Sequence, residues 1–164
     1  DTQGPEHDID LTQAVERICR DWQRQVGVST ALLVDLPTAP CHVWFDAEHL
    51  RRVLINLLDN ARRFASGQKD AIQVYFTPVS TATVKTVRLS VWSDGGPLEP
   101  SVELHLFEPF FSSESRSSGM GLYLCRELCE RYRAQLDYQR SERGGRAGND
   151  FFLLIPAAVA DLHP

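Results

Sequence analysis

The longest and most regular run of apolar positions with helical spacing extends from Phe45 to Ala65. They recur three or four residues apart, as on a helix that packs one face against a core: Leu50, Val53, Leu54, Leu57, Leu58, Ala61 and Phe64. Asn56, Asn60 and Arg63 follow a neighbouring stripe, so their side chains line one edge of the same helix. Taken alone, this stripe is better interpreted as a solvated face. An amide pair with a cation one turn further on is also suited to holding a metal ion and a phosphate together.

The rest of the pattern predicts a chain of alternating helices and strands. A helix begins near Ile9 and ends at Gly27, and another follows the turn at Gly121. Strand-like runs occupy six places: Ser29–Asp35, Cys41–Phe45, 72–76, 87–91, Gln135–Gln139 and Phe151–Ile155. Between the last two, Arg143 to Asn149 is rich in glycine and we expect a flexible turn. We expect residues 1–8 to be a linker, 9–156 the folded domain and 157–164 a loose tail.

Composition narrows the classes of function. The chain has 164 residues, of which 43% are hydrophobic, and its net charge is −5. This length suffices for one core, and the charge gives no field that would draw nucleic acid or anionic lipid. No apolar run is long enough to span a bilayer, so we expect a soluble, cytoplasmic domain. The four cysteines show neither metal-ligand nor disulfide spacing, and we expect Cys125 and Cys129 to be a buried, reduced pair on a helix.

Three further stretches look like loops that face a ligand. Asp94-Gly95-Gly96-Pro97 directly follows a strand, although alone it is better interpreted as an ordinary turn. The aromatic cluster Phe107-Glu108-Pro109-Phe110-Phe111 precedes a serine-rich segment, 112–118, that we expect to be a mobile loop. Gly119-Met120-Gly121-Leu122 then opens a helix, whose unpaired N–H groups suit a phosphate. No Ser–His–Asp, Cys–His, zinc or Walker-type pattern is present in the sequence.

These motifs, in this order, resemble those of a known family. N-x-x-x-N-A-x-R-F, D-x-G-P, F-E-P-F-F and G-M-G-L are similar to the N, G1, F and G2 boxes of the ATP-binding catalytic domain of sensor histidine kinases. The wider family includes gyrase, heat-shock chaperone ATPases and mismatch-repair ATPases. The resemblance covers about Ile9 to Pro156. The closing RAQLDYQR stretch resembles the branch of nitrogen-regulatory and type IV pilus sensor kinases.

The resemblance implies a role for each matching residue. At the phosphate end, Asn60 and Asn56 would coordinate Mg²⁺, and Arg63 would lie against the phosphates of ATP. At the base, Phe64 would line the adenine pocket, Asp94 would accept the adenine amino proton, and Gly96 would let the backbone approach. The remaining roles fall on the loop that closes the site, with Phe107 and Phe110 anchoring it and Arg116 approaching the γ-phosphate. The phosphate tail would be held by the N–H groups of 118–122, namely Ser118, Gly119, Met120, Gly121 and Leu122.

Two departures from the family pattern qualify this interpretation. The G1 box usually reads D-x-G-x-G, but here the second glycine is missing after Pro97, which puts the adenine fit in doubt. No helix carries a phosphoacceptor histidine followed by an acidic residue and a proline. We therefore expect the chain to bind ATP and Mg²⁺ without autophosphorylating alone. Its partners would be the dimerisation and phosphoacceptor domain of the same kinase and a response regulator.

The resemblance implies a fold and leaves rival functions open. The expected fold is an α/β two-layer sandwich, with a mixed, mostly antiparallel sheet of about five strands on three main helices. The resemblance implies that the intact protein would be a homodimer anchored in the inner membrane and that this chain would be a monomer. The alternatives are a degenerate nucleotide-binding module, an ATPase of the chaperone or mismatch-repair kind, and an anti-sigma serine kinase. Asn56 stands where those ATPases have a glutamate that activates water.

Overall fold

The computed structural model describes residues 7–27, 31–80, 85–109 and 121–157. Within these residues the chain forms seven strands and four helices. The strands are β1 (Asp8–Asp10), β2 (Leu32–Asp35), β3 (His42–Trp44), β4 (Ile72–Ser80), β5 (Lys85–Ser93), β6 (Gln135–Arg143) and β7 (Arg146–Pro156). The helices are α1 (Leu11–Val26), α2 (Ala47–Phe64), α3 (Pro100–Leu104) and α4 (Leu122–Glu130).

The central sheet is mixed and mostly antiparallel, as predicted. Its five strands lie in the order β2-β4-β5-β7-β6, with β2 parallel to β4 and the other neighbours antiparallel. The short strands β1 and β3 form a separate antiparallel pair. The alternation of apolar residues sets the register, since Val74, Val91 and Phe151 lie side by side on the face that carries the core.

Helices α1, α2 and α4 supply the other half of that core. The apolar stripe of α2 is buried as the sequence predicted, with Leu50, Leu54 and Leu58 at most 1% exposed. Each such leucine contributes roughly 1.5–3 kcal/mol when it leaves water. Helix α1 begins after Asp10, whose carboxylate accepts hydrogen bonds from the N–H groups of Thr12 and Gln13. The predicted two-layer sandwich is therefore confirmed.

The sheet face without helices is covered by long polar side chains. Arginine guanidinium groups lie over three aromatic rings there: Arg143 over Tyr75 at 3.5 Å, Arg88 over Phe152 at 3.7 Å, and Arg146 over Trp92 at 5.8 Å. Stacking of this kind combines cation–π attraction with burial of the arginine stem. It explains how Trp92 becomes fully buried on a face that carries no second layer of helices.

The prediction of a flexible turn from Arg143 to Asn149 was wrong. Strand β6 runs to Arg143 and β7 starts at Arg146, so only Gly144 and Gly145 form the connection. Both have positive φ, 57° and 82°, as a two-residue hairpin turn that follows the twist of the strands requires. The longer strands carry Arg146 and Asn149 to fixed places beside the segment after β5.

Two further observations bear on the boundaries of the domain. Strand β1 begins at Asp8, within the predicted linker, and His7 packs against Trp44 and Tyr132. The division into 1–8, 9–156 and 157–164 stays a prediction. Among the helices that the structure describes, none has the length and apolar character to cross a membrane.

Candidate functional site

The polar stripe of α2 runs from a buried to an exposed position along the helix. Asn56 is 9% exposed, Asn60 is half-buried, and Arg63 is exposed near the end of the helix. The stripe therefore reaches the surface where α2 meets the segment that leads to β4. Amide oxygens on successive turns are hard, neutral ligands, suitable for a cation that keeps waters and phosphate oxygens as its other ligands.

Phe64 ends α2 with an unusually exposed aromatic ring. Half of its surface is open, although a phenylalanine of this kind normally stabilises a fold by burial. The Arg63 guanidinium carbon lies 6.0 Å from the ring centroid. The backbone of Gly95 passes so close to Phe64 that a Cβ on Gly95 would lie 3.1 Å from the Phe64 carbonyl oxygen. Phe64 thus borders the segment after β5 while half of its surface stays open.

Asp94 lies directly after β5, and its carboxylate is almost fully buried. Only 6% of the side chain is exposed. Oδ1 accepts a hydrogen bond from the Ser66 N–H at 2.8 Å, and Oδ2 accepts from the Ser66 hydroxyl at 2.6 Å and from Arg146 Nη1 at 2.9 Å. The Asp94 N–H donates to the Ala71 carbonyl. The carboxylate is held in one orientation at the end of α2.

The two glycines after Asp94 are held by side chains of β6 and β7. Arg140 Nη1 donates to the Gly95 carbonyl at 2.7 Å, and Asn149 Nδ2 donates to the Gly96 carbonyl at 2.9 Å. The Asn149 amide oxygen in turn accepts from the Tyr138 hydroxyl at 2.6 Å and from Arg140. This short segment is therefore fixed by side chains although it lacks the second glycine of the usual motif.

The structure distinguishes the two glycines of this segment. A Cβ at Gly95 would press on Phe64 and on Asn149, whereas a Cβ at Gly96 would meet nothing within 4 Å. The steric need for glycine within the protein therefore falls on Gly95. The role assigned to Gly96, close approach to a bound base, stays a prediction.

The residues around the predicted closing loop are described only in part. Phe107 is half-buried, and the Arg126 guanidinium of α4 lies 3.9 Å from its ring centroid. Gly121 is the N-cap of α4, with no side chain bonded to the cap within the described ranges, and Leu122 packs against the core. The other predicted residues of this region lie outside the described residues: Phe110, Arg116, Ser118, Gly119 and Met120.

Other kinds of chemistry find little support near these residues. Burial raises the pKa of the Cys125 thiol to about 12 and raises that of Cys129 as well, so neither is a ready nucleophile. In the ranges given above, no group of three or more His, Cys, Asp or Glu side chains is arranged to hold a metal ion.

Comparison with models of protein families identifies the family of this chain. Residues 45–159 match the model of the histidine kinase-, DNA gyrase B- and HSP90-like ATPase family. The chain belongs to this family. It is therefore an ATP-binding domain, and the match includes α2, the segment after β5 and α4.

The similar relatives are sensor kinases. The sensor protein kinase PilS of Pseudomonas aeruginosa is 33% identical over 144 residues, which cover 87% of this chain and 27% of that protein. The histidine-protein kinase/phosphatase MprB of Mycolicibacterium paratuberculosis is 27% identical over 154 residues, which cover 90% of this chain and 28% of that protein. The chain thus spans little more than a quarter of either relative.

Solved structures share the fold. The mycobacterial sensor histidine kinase MprB superposes with a TM-score of 0.70 at 20% identity, covering 93% of this chain and 97% of that one. The catalytic domain of the histidine kinase ThkA gives a TM-score of 0.71 at 22% identity, covering 91% of this chain and 93% of that one. At such identities the likeness supports the architecture alone.

Several residues around Asp94 were not predicted from the sequence. Ser66, Arg140, Arg146 and Asn149 all contact the Asp94–Gly96 segment. The sequence does carry a signal for Arg140, Arg146 and Asn149. Gly144-Gly145 between two alternating runs is typical of a two-residue hairpin, which would place these residues on paired strands. Reading that turn correctly would have aligned β6 with β7. Nothing in the sequence pairs Ser66 with Asp94, because they come together only where α2 meets the end of β5.

Proposed function

We propose that this chain is the ATP- and Mg²⁺-binding catalytic domain of a two-component sensor histidine kinase. It delivers the γ-phosphoryl group of ATP to a histidine on the dimerisation and phosphoacceptor domain of the same kinase. A response regulator then accepts the phosphoryl group. In support of this partnership, ThkA, which shares the fold, has been solved in complex with the response regulator protein TrrA.

The observation that carries the proposal is the arrangement of Asp94 beside Phe64 at the end of the polar stripe. Asp94 is buried and oriented, and the backbone of Gly95 beside it passes close to the half-exposed Phe64. This combination suits adenine, which offers an amino donor and a flat apolar surface. Guanine carries a carbonyl oxygen in place of that amino group, so it would oppose an acceptor with an acceptor. The carboxylate therefore selects adenine.

The phosphates lie toward the amide stripe in this proposal. Asn60 and Asn56 hold Mg²⁺, and Arg63 is the nearest cation on α2. The donor set fits magnesium because the amide oxygens are hard and neutral and leave sites for phosphate oxygens and water. When bound, Mg²⁺ neutralises charge on the phosphates. The chain contributes orientation and electrostatic stabilisation, as is usual for phosphoryl transfer.

The phosphate tail and the transferred group involve the other side of the site. The N-terminus of α4, at Gly121 and Leu122, presents backbone N–H groups and the positive end of the helix dipole. Ser118, Gly119 and Met120 extend this N–H series in the proposal, and Arg116 offsets charge on the γ-phosphate. Phe107 and Phe110 anchor the base of the closing loop, 112–118, and the Arg126 guanidinium lies against the ring of Phe107.

The stripe also favours kinase activity over ATP hydrolysis. Asn56 occupies the place where the related ATPases carry a glutamate that activates water, and an amide is no base. ATP bound here stays intact until the phosphoacceptor histidine approaches. The whole protein acts in the cytoplasm as a membrane-anchored homodimer, whereas this chain alone is a monomer.

Phosphotransfer in trans tests the proposed function. The 164-residue chain is mixed with the separately produced dimerisation and phosphoacceptor domain, Mg²⁺ and γ-labelled ATP. We expect acid-labile, base-stable label on the histidine of that domain, and none when either component is omitted. Continuous phosphate release by the chain alone would instead indicate an ATPase, and label on a serine would indicate a serine kinase.

A further inference from the structure

The contacts of Asp94 leave its carboxylate with a single free acceptor position. A carboxylate accepts about four hydrogen bonds, two on each oxygen. Oδ2 already accepts from the Ser66 hydroxyl and from Arg146 Nη1, whereas Oδ1 accepts only from the Ser66 N–H. Among the described residues, the open position is therefore on Oδ1. A single donor from a ligand would complete the set.

Arg146 is itself held on three sides. Its Nη2 atom donates to the carbonyl oxygens of Lys69 at 3.0 Å and Asp70 at 2.9 Å, and its guanidinium lies 5.8 Å from the centre of the Trp92 ring. One planar group thus connects β7, the segment between α2 and β4, and the Asp94 carboxylate. The fixed fork of arginine suits this better than a lysine ammonium would.

We propose that Arg146 is a positioning residue for adenine recognition, which fixes the Asp94 carboxylate so that its open acceptor position faces the base. This inference rests on the proposed function. It names a residue outside the four sequence motifs, supplied by the β6–β7 hairpin. Because Arg146 already orients the Asp94 carboxylate, this group can accept a hydrogen bond from the adenine amino group without being ordered on binding. The free-energy cost of ordering the site is therefore lower.

The contact of Arg146 with Asp94 also explains how the segment from Asp94 to Gly96 keeps a defined conformation on the side of the site that would bind adenine. Asp94 is held by Arg146, and the next two carbonyls are held by Arg140 and Asn149. The hairpin thereby takes over the fixing of a segment that lacks the usual second glycine. Removing Arg146 leaves the hydrogen bonds from Ser66 to Asp94 in place, but Oδ2 of Asp94 loses one of its two donors. The Asp94 carboxylate can then rotate about its remaining contacts.

The test compares two nucleotides that differ only in the amino group. Isothermal titration, with Mg²⁺, measures the affinities of the whole chain for ATP and for purine riboside triphosphate, which has hydrogen in place of the 6-amino group. In the wild-type chain we expect ATP to bind about tenfold more tightly, as one hydrogen bond to a charged group allows. In Arg146→Met we expect the ratio to fall to about threefold or less, through weaker ATP binding.

Arg143→Met is the matched control. Arg143 belongs to the same hairpin and also stacks on an aromatic ring, but it bonds the Gln73 amide rather than Asp94. We expect it to keep the wild-type ratio. Arg146→Lys restores a cation without the fork, and we expect an intermediate ratio. If Arg146→Met does not fold, Arg146→Gln gives the same test, because it can donate to the carbonyls of residues 69 and 70 but carries no charge.

Several outcomes would overturn the inference. Equal weakening of both nucleotides by Arg146→Met, with the ratio unchanged, would mean that Arg146 only supports the fold. Tighter ATP binding would mean that Arg146 competes with the base for Asp94. Both leave the proposed function intact, because the wild-type chain still binds and discriminates. Failure of the wild-type chain to bind either nucleotide would overturn the proposed function together with the inference.

Discussion

Two buried aspartate–arginine pairs in this chain have almost the same geometry, and only one belongs to the candidate site. Asp94 meets Arg146 at 2.9 Å with 6% of its side chain exposed, and Asp150 meets Arg88 at 2.8 Å with 2% exposed. Each pair also has a phenylalanine near it, Phe64 in the first case and Phe152 in the second. Ion pairing and burial therefore do not by themselves mark a functional carboxylate.

The surroundings of the two pairs differ. Asp150 lies within β7 on the sheet face without helices, beneath Arg88, and burial raises the pKa of its carboxyl group. Asp94 lies on the segment after β5, where the backbone of Gly95 passes beside Phe64, a residue that is half exposed. The phenylalanine near the Asp150 pair is buried, with 8% of Phe152 exposed, whereas 50% of Phe64 is exposed. The two pairs therefore differ in the exposure of the neighbouring phenylalanine and not in their own geometry.

The largest expected effect distinguishes the two phenylalanines. Phe152 is 8% exposed and Phe64 is 50% exposed. Phe152→Ala should lower the free energy of unfolding by about 3–4 kcal/mol, because it opens a cavity under Arg88. Phe64→Ala should cost less than about 1 kcal/mol, yet weaken ATP binding about fivefold through loss of stacking. Urea unfolding measures the stability of both variants, and titration measures their ATP affinity. Equal losses of stability would contradict the distinction between a structural and a ligand-binding phenylalanine.

Removing the cation of the Asp150–Arg88 pair should also lower the stability of the fold without changing ATP binding. Arg88→Met leaves the Asp150 carboxylate buried without its partner, and we expect the free energy of unfolding to fall by about 3 kcal/mol. ATP affinity of the folded fraction should be unchanged. Arg143→Met, which removes a stacked arginine bonded to an amide, should cost only about 1 kcal/mol. Equal losses in the two variants would show that the ion pair adds nothing.

A charge placed on the amide stripe tests the other end of the site. Asn60→Asp should change the ratio of ATP affinities with and without Mg²⁺ by about fivefold, because a formal charge then faces the metal and the phosphates. The thermal melt without nucleotide should stay as in the wild-type chain, since the residue is only half-buried. Arg52→Gln, on the exposed side of α2, serves as control. An unchanged metal dependence would remove Asn60 from the proposed magnesium site.

The smallest effect concerns the cap of α2. The His49 N–H, bonded to Asp46 Oδ1 at 2.9 Å, lowers the pKa of the Asp46 carboxyl below its ordinary value of 3.8. Asp46→Ala should therefore cost about 1 kcal/mol near neutral pH. A lowered pKa gives stability that is present above the unfolded value and lost as pH falls through the folded one. The difference between variant and wild type should narrow below about pH 4, and a constant difference would contradict this.

Local periodicity was enough to predict most of the fold. The helical spacing of α2 and the alternation in β4 and β5 follow directly from which side chains the core buries, so these elements could be expected. The sandwich and its mixed sheet were implied by the family resemblance. Both strands of the β6–β7 hairpin are predicted from the sequence, but too short, because the glycine content from Arg143 to Asn149 favoured a flexible turn. Positive φ at Gly144 and Gly145 instead makes a tight turn that keeps both strands in register.

The site was predictable only where motifs carry it. Asn56, Asn60 and Asp94 stand in recognisable patterns, and the structure places them on α2 and after β5. The partners of Asp94 could not be read from the sequence, because Ser66 and Arg146 lie 28 and 52 residues away from it. Such contacts depend on the order of strands in the sheet, which local patterns do not encode.

The central claim is that Asp94, and not Asp150, takes part in ATP binding. Its most direct test replaces one carboxylate oxygen of each aspartate by an amide nitrogen. Isothermal titration with ATP and Mg²⁺ compares the wild-type chain with Asp94→Asn and Asp150→Asn. We predict that Asp150→Asn binds ATP like the wild-type chain, and that Asp94→Asn binds at least about tenfold more weakly while its thermal melt changes little. Equal affinity of Asp94→Asn and wild type, or no binding by the wild-type chain at millimolar ATP, would contradict the account.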